Sequence, residues 1–304
     1  MRSGLRRVAP DPTRRNLKAE MRFFAPPTQK TALLYYNGRT VGLAGKIFDV
    51  KSAIMTDMKV EDYTLTDGTP WRLFTPDNAH GGWAVLWLQG FTSTIDGHSE
   101  GCERMSAASS VSFAILNYAG HGNHPVPLEQ ATRKQQFEEV CAAYDELVSR
   151  GFDKIIVIGG SFGGYMAALL AGVRKPQTVV LRAAANYKDE EFEYPYSETT
   201  ESKEGEAKDL YRKSIDKTYS NKATEALKAF DGTSYIIEHE ADTVIAANIP
   251  QSYYHVAKHG NYIVIRGLEH SPKHMTNAVE WFDIVERWIQ TIIYAAVHDP
   301  RDMS

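Results

Sequence analysis

The order of sequence patterns along the chain predicts an α/β fold, with a mostly parallel, twisted sheet covered by helices on both faces. Apolar, strand-like runs alternate with helix-like runs over most of the 304 residues. Such alternation implies right-handed crossovers between parallel strands. Turn signals of two hairpins precede the alternation, and they add an antiparallel edge to the sheet. A glycine-rich turn at residues 159–164 joins a β-branched run to an Ala- and Leu-rich run.

The first elements of the chain are two predicted β-hairpins. An Asn-Gly pair at residues 37–38 is typical of a primed two-residue turn, and an Asp-Gly pair at residues 67–68 is a similar signal. The strands that these pairs would join are residues 31–36 with 39–43 and residues 58–66 with 70–75.

The remaining elements alternate between strands and helices. Short apolar runs predict strands at residues 83–88, 112–118, 154–158, 178–181, 234–238 and 262–266. Apolar residues at helical spacing predict helices at residues 98–109, 128–150, 165–172 and 249–258. Ser271 and Pro272 then supply an N-cap and a first-turn proline for a long last helix, whose apolar stripe runs from Ala278 to Ala296.

Residues 186–230 break this alternation, because the segment is rich in Glu, Lys, Tyr, Ser and Thr and shows no clear strand. A long structureless loop is improbable in a compact domain, so the segment is predicted to be a small helical cap inserted between strands. The alternative is a charged surface excursion. Four aromatic side chains in this polar segment favour the cap, because rings of this size need a surface to cover. The same four are the candidates for substrate contact: Tyr187, Phe192, Tyr194 and Tyr196.

The predicted domain organisation has four regions. They are a leader at residues 1–20, an N-terminal extension with a hairpin at 21–57, a core of 58–185 with 231–304, and the cap at 186–230. The leader carries six basic and two acidic side chains without a hydrophobic run, so it is not a secretory signal. An organelle-targeting segment is one interpretation; we prefer a disordered tail, with Met21 as an alternative start.

Composition narrows the range of partners. A net charge of −4 implies no basic face, which argues against a nucleic-acid partner. Cys102 and Cys141 are too few for a disulfide framework and lack a zinc spacing, so we expect free thiols in a reducing compartment and a cytoplasmic location. No apolar run approaches the length of a membrane span. His270 and His274 have no evident third ligand, so neither a metal nor a cofactor is predicted.

The turn at residues 159–164 carries the strongest chemical signal. A Gly-x-Ser-x-Gly sequence between a strand and a helix is typical of a nucleophile elbow. Gly159 and Gly163 let the flanking backbones pass, and Ser161 Oγ is then held at the tip of the sheet. A serine hydroxyl becomes a good nucleophile only beside a base, and that base needs a third group to orient it.

An acid and a histidine follow later strands, as a serine triad requires. Asp242 comes after the strand at 234–238, and His270 comes after the strand at 262–266. Both are therefore expected at the edge of the sheet that holds the elbow. The other candidates for the acid are Glu238, which still belongs to the strand, Asp231, which precedes the strand, and Glu240. The other candidate for the base is His274.

The chain order Ser161, Asp242, His270 resembles the α/β-hydrolase fold family over roughly residues 58–297. By that resemblance, the segment Leu88-Gln89-Gly90-Phe91-Thr92 matches the oxyanion loop, with glutamine where the family usually has histidine. The resemblance implies an oxyanion hole made by the backbone N–H groups of Phe91 and Phe162.

A second loop resembles the family less closely. Residues 117–123 match the loop after the fourth strand of the family but lack its charged pair. His121 in this loop is expected to have a structural role.

The elbow string at residues 159–167 is similar to that of prolyl-oligopeptidase-type peptidases and of many small acyl esterases. Those peptidases usually carry a β-propeller, for which this chain has no room, and an elbow serine implies acyl transfer. The expected activity is that of a serine carboxylesterase, which cleaves a small or aromatic acyl ester through an acyl-enzyme. A peptidase or acyl-peptide hydrolase, a thioesterase, and a catalytically silent binding protein of the same fold stay open as alternatives.

Overall fold

The computed structural model describes residues 34–36, 39–41, 57–203, 206–275 and 277–299. The strands are β1 (Leu34–Tyr36), β2 (Arg39–Val41), β3 (Met58–Thr64), β4 (Pro70–Pro76), β5 (Trp83–Leu88), β6 (Ser112–Leu116), β7 (Lys154–Gly160), β8 (Thr178–Arg182), β9 (Thr233–His239) and β10 (Gly260–Ile265). The α-helices are α1 (Ile95–Ser109), α2 (Arg133–Ser149), α3 (Phe162–Ala171), α4 (Glu206–Ser214), α5 (Lys222–Ala229), α6 (Asn248–Val256) and α7 (Ala278–Val297).

Eight strands form one sheet in the order β10-β9-β8-β7-β5-β6-β4-β3. Strands β5 to β10 are parallel to one another, whereas β3 and β4 run antiparallel at one edge. β1 and β2 pair as a separate antiparallel hairpin, and the Asn-Gly pair that was predicted to form its turn lies outside the described residues. The predicted α/β architecture is thereby confirmed, and the second hairpin, β3 with β4, supplies the antiparallel edge. The expectation that the first hairpin joins this edge was wrong, because β1 and β2 pair apart from the eight-stranded sheet.

The core consists of two apolar layers, one on each face of the sheet. Alternate residues of β5 point to opposite layers: Leu86 packs with side chains of α2 and α3, whereas Trp87 packs with side chains of α1 and α7. Every residue of β5 is buried, which explains why its sequence is continuously apolar rather than alternating. The parallel strands end at one shared edge, where a ligand site is expected.

Two long helices begin later than predicted, because a different residue caps each one. α2 starts at Arg133, where the Thr132 side chain accepts the Gln135 N–H at 3.0 Å; residues 128–130 form a separate 3₁₀ turn. α7 starts at Ala278 with Asn277 as its cap. The prediction that Ser271 caps this helix was therefore wrong. Ser271 instead precedes a 3₁₀ turn at Pro272–His274, and this turn ends at Met275, whose backbone is extended.

The segment between β8 and β9 is helical, as predicted. Its described residues form α4, α5 and three single 3₁₀ turns, at Asp189–Glu191, Tyr196–Glu198 and Thr200–Ser202. Asn221 fastens the segment internally: its Oδ1 accepts the Thr224 N–H at 3.1 Å, and its Nδ2 donates to the Tyr187 carbonyl at 2.9 Å. The limits 186–230 for a cap, and the division of the rest of the chain into regions, stay predictions.

Two composition-based expectations can be compared with the structure. Cys102 and Cys141 are free thiols, and Cys102 is buried. Over the residues that the structure describes, no helix combines the length and the apolar character that crossing a membrane demands. The proposed leader at residues 1–20 lies outside the described residues.

Candidate active site

Ser161 lies on a sharp turn between β7 and α3, with φ 53° and ψ −115°. A non-glycine residue in such a conformation is strained, and the surrounding structure must hold it in place. Backbone hydrogen bonds do so. The Ser161 N–H donates to the Arg182 carbonyl at 3.0 Å, and the Ser161 carbonyl accepts N–H groups from Gly164 at 3.0 Å and Ala185 at 2.9 Å.

Glycines allow β5, β7 and α3 to approach each other around this turn. A Cβ on Gly163 would overlap the carbonyl oxygen of Leu88 in β5, and a Cβ on Gly159 would overlap the carbonyl oxygen of Gly163. Because both obstacles are backbone atoms of packed elements, they cannot move aside as a flexible side chain could. The elbow predicted from the sequence is therefore present in the structure.

The structure brings Ser161, His270 and Asp242 into one hydrogen-bonded chain. His270 Nε2 lies 3.0 Å from Ser161 Oγ, and His270 Nδ1 lies 2.6 Å from Asp242 Oδ2. Asp242 Oδ1 accepts two backbone N–H groups, from Val244 at 2.8 Å and from Ile245 at 2.7 Å. These bonds leave Oδ2 for the imidazole. An Nδ1–H that donates to Asp242 leaves Nε2 free to accept the serine proton.

The environment of Asp242 favours its ionised form. Burial acts to raise the pKa of this carboxyl, but the His270 hydrogen bond and charge act against it, together with the N–H donors of Ile245 and Val244. The net result is a pKa below the ordinary value of 3.8. Asp242 can therefore orient His270 as a carboxylate at neutral pH.

The other acids considered from the sequence have different partners. Glu238 accepts a hydrogen bond from the Tyr262 hydroxyl, and Glu240 accepts the Gly267 N–H at 3.0 Å. Asp231 forms an ion pair with Lys258 at 2.7 Å. Of the four acids, Asp242 is the one hydrogen-bonded to His270.

The two amides proposed for an oxyanion hole lie beside the serine. Phe162 is the first residue of α3, Phe91 follows β5, and their rings lie 5.8 Å apart. Within the described part of the chain, neither N–H donates a hydrogen bond to another protein group. A Cβ on Gly90 would lie 3.6 Å from Ser161 Cβ, which shows how close this loop is to the serine.

Gln89 and His121 stabilise the walls around these amides. The Gln89 side-chain amide donates to the Leu116 carbonyl, and the Gln89 backbone carbonyl accepts the Tyr118 hydroxyl at 3.2 Å. His121 is buried, its Nδ1 lies 3.1 Å from the Ala119 carbonyl oxygen, and its ring stacks on Phe162. These contacts fit the structural role expected for His121.

An open cavity of about 700 Å³ surrounds Ser161 and His270. Of the aromatic residues proposed for substrate contact, Tyr187, Tyr194 and Tyr196 line it. Phe192 does not, so that expectation was wrong. Its carbonyl accepts the Lys134 N–H at 2.9 Å at the start of α2, and its ring packs toward Phe137 in the core.

Comparison with known proteins gave matches in structure alone: no family model and no curated protein matches this chain. Est1E from Butyrivibrio proteoclasticus, solved with ferulic acid, is 13% identical with a TM-score of 0.57, over 81% of this chain and 98% of that one. Carboxyl esterase 2 from Tuber melanosporum is 12% identical with a TM-score of 0.58, over 80% and 86%. The esterase Pf2001 from Pyrococcus furiosus is 16% identical with a TM-score of 0.53, over 80% and 95%.

This chain has the α/β-hydrolase fold. At these identities the likeness extends to the fold, and it agrees with the family resemblance inferred from the elbow and the order of the three polar residues.

Sequence reasoning about the α/β-hydrolase fold missed the charged residues that line the cavity. Arg133 and Arg212 are paired, with Glu191 at 3.0 Å and Glu201 at 3.2 Å. Arg182 ends β8, next to the elbow strand, and also faces the cavity. A charged residue at the end of a buried strand, on the edge that carries the elbow, was the signal that could have identified it.

The low pKa of Asp242 predicts a pH-dependent difference in stability between the wild type and Asp242→Asn. A carboxyl whose pKa is lower in the folded than in the unfolded state stabilises the fold above the unfolded pKa, about 3.9. That contribution disappears as the pH falls through the folded pKa. The free-energy difference between the two proteins in urea unfolding should therefore be largest at neutral pH and shrink below about pH 4. Asp209→Asn, an exposed change on α4, controls for general loss of charge. A difference that stays constant between pH 7 and pH 3 would contradict the role given to this carboxylate.

Proposed function

We propose that this protein is a serine hydrolase, a carboxylesterase that cleaves a small or aromatic acyl ester through an acyl-enzyme intermediate. One observation carries the proposal. The chain of hydrogen bonds from Ser161 Oγ through His270 to Asp242 opens onto a cavity beside two backbone amides whose N–H groups donate to no other described residue. This combination provides a nucleophile, a base, an orienting acid and donors for an oxyanion.

In the first half of the proposed reaction, Ser161 Oγ attacks the acyl carbonyl carbon while His270 Nε2 takes the hydroxyl proton. The carbonyl oxygen becomes an oxyanion, for which the N–H groups of Phe91 and Phe162 are the proposed donors. The tetrahedral intermediate then collapses. The bond to the leaving oxygen breaks, and His270 gives the proton to that oxygen. The alcohol departs, and the acyl group stays bound to Ser161 as the acyl-enzyme.

In the second half, water replaces the alcohol. His270 takes a proton from the water as its oxygen attacks the acyl carbon, and the same amides receive the second oxyanion. When the bond to Ser161 Oγ breaks, His270 returns the proton to the serine. The products are one alcohol and one carboxylic acid, and the enzyme is restored.

The preference for a small or aromatic acyl group rests on the cavity lining. Phe91, Tyr187 and Tyr196 present ring surfaces near the nucleophile, and rings of this kind pack well against a planar acyl group. A volume of about 700 Å³ suits a small organic ligand. Est1E, the structural neighbour solved with ferulic acid, supports the same preference, since it binds an aromatic acid.

A substrate panel tests this assignment. p-Nitrophenyl acetate, butyrate and benzoate should give higher kcat/KM values than acyl-CoA thioesters or aminoacyl p-nitroanilides. Higher values for the anilides would favour a peptidase, and higher values for the thioesters a thioesterase; either result would overturn the ester assignment. A folded protein that turns over none of these compounds would favour a silent binding protein.

A further inference from the structure

Arg182 stands beside the residue that precedes the nucleophile. It ends β8, where it pairs in register with Gly160 of β7, and it is one of the residues that line the cavity. A Cβ on Gly160 would overlap Arg182 Nη2 and lie 3.0 Å from Cζ. The glycine therefore makes room for the guanidinium next to the elbow.

The guanidinium of Arg182 has no anionic partner in the described part of the protein. None of the described carboxylates lies within 4.0 Å of it, and none of its N–H groups donates a hydrogen bond to a described residue. The guanidinium lies over the Trp281 ring, whose centroid is 4.9 Å from Cζ. Arg133 and Arg212 in the same cavity each have a glutamate partner. A guanidinium that lines an open cavity without an ion-pair partner is available to an anionic ligand.

Neighbouring polar groups form no direct ion pair with this cation in the described part of the chain. Burial, reinforced by the Arg182 charge, lowers the pKa of His98 to about 4 and that of His239 to about 3, so both rings are neutral at pH 7. Asp242 attracts Arg182, but its oxygens are already bonded to His270 and to the backbone N–H groups that follow it. Burial lowers the pKa of Arg182 to about 10, which still leaves it charged at neutral pH.

The whole cavity has a positive balance, although the chain has a net charge of −4. Five cationic side chains line it, with Glu201 as the acidic lining residue; the cations are Arg133, Arg182, Lys208, Arg212 and Lys273. A concave site lined by one sign of charge concentrates ligands of the opposite sign.

We propose that Arg182 binds a carboxylate of the substrate, so that the esters cleaved at Ser161 carry a free carboxylate on their acyl or alcohol part. The proposal rests on the proposed function. A planar guanidinium forms two parallel hydrogen bonds with a carboxylate, and its one positive charge matches the one negative charge of that group. Hemiesters of dicarboxylic acids and esters of carboxyphenols are substrates of this class.

Matched ester pairs test the proposal. The first pair is p-nitrophenyl hydrogen glutarate with p-nitrophenyl valerate, which places the carboxylate on the acyl side. The second pair is 4-acetoxybenzoate with its methyl ester, which places it on the alcohol side. The wild type should prefer the anionic member of at least one pair. Arg182→Gln should lower kcat/KM for that member by about 10- to 100-fold and change the neutral member by less than about threefold.

Two further variants separate binding from structure. Gly160→Ala keeps the arginine but displaces its guanidinium, so it should lower the same anionic-to-neutral ratio. Arg212→Gln removes a paired arginine from the same cavity, so it should lower that ratio much less than Arg182→Gln does. The proposal is overturned if the wild type shows no anionic preference, or if Arg182→Gln lowers both members of a pair equally. Equal loss is the result expected if Arg182 merely supports Trp281.

A binding measurement keeps the proposal testable if the protein hydrolyses no ester, in which case the proposed function fails independently. Glutarate should raise the melting temperature of Ser161→Ala, and Arg182→Gln in the same background should abolish that shift. No shift with glutarate would overturn the carboxylate site. A larger Arg182-dependent shift with inorganic phosphate would overturn the choice of carboxylate as the bound group.

Discussion

Ser161→Ala should lower kcat for the best p-nitrophenyl ester by about 10⁴- to 10⁶-fold without unfolding the protein. The attacking atom would be absent, and what remains is the activation of a water by His270 and the positioning of the ester. Ser161 Oγ contacts His270 Nε2 and is not part of the core, so its loss removes little packing. The measurement is steady-state hydrolysis, together with urea unfolding of both proteins.

Ser149→Ala provides the matched control for this variant. Ser149 is an exposed serine at the end of α2, and its hydroxyl donates to the Glu146 carbonyl at 2.8 Å. Its replacement removes the same atom far from the elbow, and turnover should stay within about twofold of the wild type. Comparable turnover by Ser161→Ala and the wild type would show that another residue supplies the nucleophile.

Gly163→Ala should have the largest effect on stability, a loss of more than about 3 kcal/mol in the free energy of unfolding, or failure to fold. The new Cβ would overlap the Leu88 carbonyl oxygen and lie 2.7 Å from the Gln89 carbonyl oxygen. Both atoms belong to backbone at the end of the buried strand β5, so relief requires α3 to move away from the sheet. Urea unfolding, or the yield of folded protein, measures the loss.

Gly101→Ala is the control, because it adds the same methyl group to a helix without a clash. The nearest atom to its Cβ would be Glu286 Oε1 at 3.6 Å, an ordinary contact. Gly101 lies inside α1, where alanine is favoured over glycine by up to about 1 kcal/mol, so the variant should be as stable as the wild type or more so. Equal stability of Gly163→Ala and Gly101→Ala would contradict the tight packing at the elbow.

Buried parallel strands were the most predictable elements, because both of their faces are apolar and their sequence runs are continuous. The apolar run at 154–158 predicted β7 to within two residues. The strand is longer than the run because Gly159 and Gly160, which have no apolar side chains, extend it. α3 was predicted from Tyr165 but begins at Phe162, because tertiary packing outweighs the low helix propensity of Gly163 and Gly164.

Helix starts were less predictable, because several residues compete to cap each helix and the tertiary fold selects among them. Ser271 has the right residue type for a cap, yet Asn277 caps α7. The hairpin after β3 shows a similar limit. Its Asp-Gly pair was recognised as a turn signal, but the connection spans five residues, from Leu65 to Thr69.

In the candidate site, sequence order was enough to predict that Ser161, Asp242 and His270 lie close together, because each follows a strand that ends at the same edge. Their catalytic roles stay proposals, as do those of the Phe91 and Phe162 amides. Sequence could not show that Phe192 faces the core, because this depends on where the inserted segment meets α2. Nor could it separate Arg182 from the paired arginines, since ion pairs form between residues distant in the chain.

Covalent labelling tests the central claim most directly, because an organophosphorus probe reacts with a serine that a neighbouring base activates. The folded protein would be treated with a fluorophosphonate, digested, and mapped by mass spectrometry. The account predicts one stoichiometric adduct on the peptide that contains Ser161, and no adduct at this position in Ser161→Ala. An unlabelled wild type whose fold is intact, or an adduct of equal yield on another serine, would contradict it.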